Sequence, residues 1–121
     1  MIYTYPMDTE ELVQQTLDRV ADKWTLNVIE ELHNGELRFS QLQKRIPSIS
    51  QKMLTKTLRQ LERDGLVTRF VHATVPPRVD YNLTPLGESL SEAVCSIWLW
   101  AEKHGADVQA ARNRFDQSPT V

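Results

Sequence analysis

The chain has 121 residues, 40% of them hydrophobic and 25% charged, and a net charge of −2. That is enough for one globular domain with a modest core and too little for two, and no apolar run approaches the ~20 residues of a membrane span. Cys95 is the only cysteine, which excludes an intrachain disulfide and a multi-cysteine zinc site. Met1 to Thr9 has no basic region followed by an apolar stretch, so no signal peptide is expected and the expected location is cytoplasmic.

Asp8 followed by Glu11 opens a first helix to about Ala21, with Val13, Leu17, Val20 and Trp24 at helical spacing. Thr25 to His33 is a second, with Leu26, Ile29 and Leu32 inward, stopped by Asn34-Gly35. Leu37 to Phe39 is long enough only for an edge strand. Ser40 with Gln43 reads as a capping box for a short helix from Gln41 to Arg45 or Ile46, ended by Pro47. After a tight turn, Ser50 caps a helix that runs to about Asp64, with Gly65 just past its end. Two short helices joined in this way are the layout of a helix-turn-helix.

Leu66 to Ala73 and Val79 to Leu83 alternate as two strands joined by Thr74-Val75-Pro76-Pro77, a hairpin that forms a wing. Thr84 and Pro85 then start a long helix with Leu86, Leu90, Ala93, Val94, Ile97 and Ala101 on one face. Gly105 is expected to break or end it, with Ala106 to Phe115 a further short helix, and Gln117 to Val121 a frayed tail. The fold class is therefore mainly α with a small β-hairpin wing (α+β), a winged helix-turn-helix. The expected organisation is a single domain over 1–121, with its core at 22–87 and dimerisation elements at 8–21 and 84–114.

Charge is unevenly spread along this layout. Residues 1–37 carry −6, residues 38–78 carry +7 and residues 79–121 carry −3. One basic third between acidic ends is the footprint of a face that meets phosphates. The helix from Gln51 to Asp64 concentrates it. Leu54, Leu58 and Leu61 form its inner stripe, and Lys52, Lys56, Arg59 and Arg63 lie opposite. Four cations on one face repel each other unless something anionic meets them.

A helix in a major groove reads bases with its first turns. Ser50, Gln51, Lys52 and Thr55 are placed to do so, Gln pairing with adenine and Lys with guanine. Ser50 has the second reading of a cap alone. Lys56, Arg59 and Arg63 are placed to hold phosphates. Arg38, Lys44 and Arg45 flank the helix, either on the DNA backbone or merely solvated. Arg78 at the wing suits a minor groove, or else an ion pair with Asp80.

On the last helix, Trp98, Leu99 and Trp100 lie outside the main apolar stripe. Such an excess points to a homodimer interface, built from Trp98, Leu99 and Cys95 with Val13 and Leu17 of the first helix. The other reading folds Trp98 and Trp100 onto their own domain. Cys95 is a small residue in the seam, or a redox-sensing thiol.

Competing classes find little support. His33, His72 and His104 are isolated in sequence, no Gly-rich phosphate loop occurs, and Asp18 with Asp22 reads as a solvated pair. No catalytic residue, metal ligand or cofactor is therefore expected. The remaining alternative is a winged-helix protein-interaction module without DNA binding.

Several stretches together, from Lys23-Trp24-Thr25 through Leu37-Arg38-Phe39-Ser40-Gln41-Leu42, Ile46 to Leu54, Leu58 to Val67 and Val75 to Gly87, resemble the HxlR family. That family is a branch of the MarR-like winged-helix regulators, and the match covers roughly residues 20–100. The resemblance implies a DNA-binding homodimer that represses or activates genes at a pseudo-palindromic operator, with the recognition helix at 50–64 and the wing at 66–83. A small-molecule effector is compatible with it, though no residue identifies one. Many members carry a redox-sensing Cys before the first helix, and here Tyr5-Pro6-Met7-Asp8 stands instead, which argues against a switch of that type. Asp22 replaces the family's usual Gly before Lys-Trp.

Overall fold

Side chains with a short acceptor open four of the five helices described in the computed structural model, which covers residues 8–118. Asp8 caps α1 (Thr9–Val20) by accepting from the Glu10 N–H, and Asp22 caps α2 (Lys23–His33) from the Trp24 N–H at 2.9 Å. Ser50 caps α4 (Gln51–Arg63), its Oγ accepting from the Met53 N–H at 3.0 Å. Thr84 precedes α5 (Pro85–Gln117) and accepts from the Gly87 N–H at 3.0 Å. Each satisfies one of the orphan donors of a first turn.

The short helix α3 (Phe39–Arg45) differs from the expected arrangement. It begins two residues earlier than the Ser40–Gln43 box implied. Gln41 Oε1 accepts from the Arg38 N–H at 2.9 Å instead. Phe39 packs against the core, so its burial draws the helix start forward. The α3–α4 turn is held by buried Ile46 and Ile49 on either side of Ser48, whose φ of 68° is left-handed and reverses the chain.

Three antiparallel strands, β1 (Leu37–Arg38), β2 (Val67–His72) and β3 (Arg78–Leu83), form a sheet in the order β1-β3-β2. Leu37 pairs with Tyr81, and Val67 with Leu83. These inward residues join Val28, Ile29 and Leu32 of α2, Leu42 of α3, and Leu54, Leu58 and Leu61 of α4 in one core. In α2 it is Val28, not Leu26, that is fully buried alongside Ile29 and Leu32. The strand alternation expected around Val71 carries no burial. Phe70 and Val71 are both exposed, because the distal hairpin extends past the helices that cover its base.

The chain divides into two compact units, Met1–Ser91 and Glu92–Val121. In the first, Gly87 and Ser91 are the buried positions of α5, with Leu90 packed on the core, while Leu86 is exposed. The inward face of the early helix is thus centred on Gly87 rather than Leu86. In the second, the helix passes through Gly105 without interruption to Gln117. A helix-interior glycine costs about 1 kcal/mol, too little to end a helix of this length. No described helix is long and apolar enough to cross a membrane. Positions 5–7, where the family's cysteine would be sought, and 119–121 of the expected tail lie outside the described residues.

Candidate nucleic-acid interface

The fold turns α4 so that its apolar and cationic sides separate completely. Leu54, Thr57, Leu58 and Leu61 are at most 2% exposed. Gln51, Lys52, Thr55, Lys56, Arg59 and Arg63 are all exposed. Thr57 completes the buried stripe at a position that apolarity alone does not mark.

Electrostatics reinforce this separation. The two acids of the basic segment are already engaged by cations outside α4. Glu62 faces Arg69 of β2 at 3.7 Å, and Asp64 accepts from Arg19 of α1 at 3.0 Å. Lys52, Lys56, Arg59 and Arg63 form no ion pair within 4.0 Å among the described residues. The outer face of α4 therefore keeps its positive charge unneutralised by the protein, which is the condition for meeting a polyanion. Tyr81 lies beneath this region. Burial pushes its phenol up, while the charges of Arg69 and Arg59 act the other way and Glu62 adds to the rise.

The flanking cations divide. Arg38 and Lys44 are exposed, Arg38 at the start of α3 and Lys44 near its end. Arg45 pairs with Glu31 at 3.7 Å. Ser50 is committed as a cap by its bond to Met53, although it remains exposed. Arg78 takes up the alternative of an ion pair: Nε lies 3.3 Å from Asp80 Oδ1, and Nη2 lies 3.4 Å from Asp80 Oδ2 and 3.2 Å from His72 Nε2.

The residues expected at a dimer seam are uncovered in the single chain. α1 buries no residue at all, and Val13 and Leu17 are about half exposed. Cys95, Leu99 and Trp98, the last 64% exposed, are likewise open. The Trp98 indole N–H donates to Glu102 within its own helix, and the Trp100 ring lies 5.2 Å from that of His104, tilted by 42°.

One grouping escaped the sequence reading. His72 and Asp80 stand eight residues apart, yet the hairpin register places His72 beside Asp80, with Nε2–Oδ2 at 2.6 Å. Glu36, just before β1, joins them. For Asp80, burial raises the pKa, but hydrogen bonds with His72 and Glu36 and the charges of Arg78 and His72 together outweigh it and hold the carboxyl below its usual range. The signal in the sequence is a two-strand register, which a search for ligands close in sequence does not detect. His33 also acquires partners from far along the chain, Glu88 at 3.1 Å and Ser91 at 3.2 Å.

The arrangement has close counterparts. The profile described as HxlR-like helix-turn-helix matches residues 19–109. The uncharacterized HTH-type transcriptional regulator YtfH of Escherichia coli (strain K12) is 39% identical over 100 residues, which cover 83% of this chain and 79% of that protein. The uncharacterized HTH-type transcriptional regulator YdeP of Bacillus subtilis (strain 168) is 39% identical over 108 residues, 87% of this chain and 84% of that one. Among solved structures, a chain described as a MarR-family transcriptional regulator from Enterococcus faecalis V583 superposes with a TM-score of 0.75 at 33% identity, covering 90% of this chain and 99% of that chain.

Proposed function

The chain belongs to the HxlR-like helix-turn-helix family of transcriptional regulators, and from that premise we propose that it regulates transcription in the cytoplasm as a homodimer bound to duplex DNA at a pseudo-palindromic operator. The observation that carries the reading is the outer face of α4, with four exposed cations and no carboxylate partner among the described residues. In this reading Gln51, Lys52 and Thr55 in the first turns reach base edges in the major groove. Lys56, Arg59 and Arg63 hold phosphates, with Arg38 and Lys44 beside them. The hairpin lies along the backbone or the minor groove. Residues 22–87 are the DNA-binding core, and 8–21 with 84–114 supply the dimer contacts, where Val13, Leu17, Cys95, Trp98 and Leu99 are exposed apolar or small side chains. Two subunits would then present their α4 helices about one DNA turn apart, roughly 34 Å.

A salt titration of binding to a random-sequence duplex, read by fluorescence anisotropy, tests this. With some 6–10 phosphate contacts per dimer, affinity is expected to fall about 10³–10⁵-fold between roughly 50 and 200 mM salt. Affinity that is absent at low salt, or flat across that range, would refute the reading.

A further inference from the structure

Strand register gathers three ligating side chains on the face of the sheet that points away from the helices. Phe70 stands opposite Asp80, and His72 opposite Arg78, so His72 and Asp80 project from the same side. Glu36 approaches them from the entry to β1, its Oε2 accepting from the Asn82 amide at 3.3 Å. One donor atom from each of Glu36, His72 and Asp80 lies within 4.8 Å of the other two.

Asp80 is the unusual member. Its side chain is 8% exposed although it sits on the outward face. Oδ2 meets His72, but Oδ1 has no hydrogen-bond partner among the described residues, the nearby Arg78 Nε being a charge contact at 3.3 Å. A buried carboxylate oxygen that has a charge contact with Arg78 but no hydrogen bond keeps a lone pair free for a metal cation.

We propose that Glu36, His72 and Asp80 form a binding site for a divalent transition-metal cation, with water completing its shell. One imidazole and two carboxylates suit zinc or manganese better than calcium, which takes oxygen ligands alone, or copper(I), which prefers sulfur. The hydrogen bond between His72 Nε2 and Asp80 Oδ2 at 2.6 Å would have to open and give up its proton, since two ligands on one tetrahedral zinc stand about 3.3 Å apart. Arg78 competes for the same atoms, so a bound dication would expel the guanidinium by like-charge repulsion. Resting on the DNA-binding reading above, this makes the metal an effector: it would release Arg78 from the sheet to a phosphate.

Calorimetric titration of the intact chain with Zn²⁺ tests the site without DNA. One zinc per chain is expected. His72→Gln and Asp80→Asn should weaken binding about tenfold or more, and Arg78→Ala should tighten it several-fold. Circular dichroism checks that Asp80→Asn is folded, and His72, half-buried rather than fully buried, provides the variant least able to disturb the fold. No heat with the wild type, or equal affinity in wild type and His72→Gln, overturns the site. Zinc should also raise the duplex affinity of the wild type several-fold and leave that of Arg78→Ala unmoved; no change in the wild type overturns the coupling. Duplex binding without zinc binding sinks this site and spares the DNA-binding reading, and zinc binding without duplex binding does the reverse.

Discussion

Lys52→Ala is expected to relax preference for the cognate duplex, whereas Arg59→Ala is expected to weaken binding to every duplex alike. Both residues are exposed cations of the same helix, and neither has an ion-pair partner among the described residues. They differ in position. Lys52 is the second residue of α4, two positions beyond the capping Ser50, and the N-terminal turn is the part of a recognition helix that reaches base edges. Arg59 lies two turns further on, where the helix diverges from the groove floor and meets the phosphates. Loss of a specific base contact is worth about 1–3 kcal/mol of discrimination at each half-site, and a homodimer loses two. Loss of a phosphate contact instead lowers the salt slope by about one for each contact removed. Anisotropy titrations on a selected and a random duplex separate the two. Equal losses on both duplexes for both variants would refute the assignment of roles along α4.

Gly87→Ala is expected to be the most damaging single-methyl substitution in the chain. A Cβ at Gly87 would lie 2.1 Å from the Leu66 carbonyl oxygen and 3.0 Å from Leu83 Cδ2. The oxygen belongs to backbone and cannot rotate away. Thr84 ties the same spot together: its N–H donates to Leu66 O at 3.0 Å, its hydroxyl donates to Gly65 O at 2.6 Å, and its Oγ1 accepts from Gly87. Relieving the overlap would pull the first turn of α5 off the α4–β2 junction and break these bonds. The cost is about 3 kcal/mol or more, a fall in Tm of roughly 10 °C or more. Gly105→Ala provides the contrast. Nothing lies within 4 Å of its would-be Cβ, and the site is helical, so alanine should stabilise the helix by about 1 kcal/mol. Thermal melts of the two variants should move in opposite directions. A Gly87→Ala melt at the wild-type temperature would show that the helix start is not held as tightly as these distances require.

What could be read from residues alone follows the range of the forces involved. Ser50 and Thr84-Pro85 mark helix starts through bonds that close within three residues, so the starts of α4 and α5 are legible. The separation of Leu54, Leu58 and Leu61 from four cations is likewise a matter of spacing on one helix. The start of α3 lies ahead of the Ser40–Gln43 pattern because Phe39 is drawn into the core by elements distant in sequence, which outweighs a local capping pattern. Gly105 does not break α5, since the penalty of one glycine is small against a long run of good helix formers. The partners of His72 and Arg78 depend on which residues face each other across β2 and β3, and alternation specifies faces without specifying register. Arg78 illustrates the consequence: both of its readings were available from the sequence, and only the hairpin pairing brings it onto Asp80.

Backbone amide spectra of the isotopically labelled protein, recorded as the selected duplex is added, test most directly whether a nucleic acid meets the charged side of the second helix of the pair. The largest perturbations are predicted at residues 50–59 and along the hairpin, with α1 and residues 95–117 of α5 little changed. Perturbations gathered on α5, with 50–59 unmoved, would contradict it.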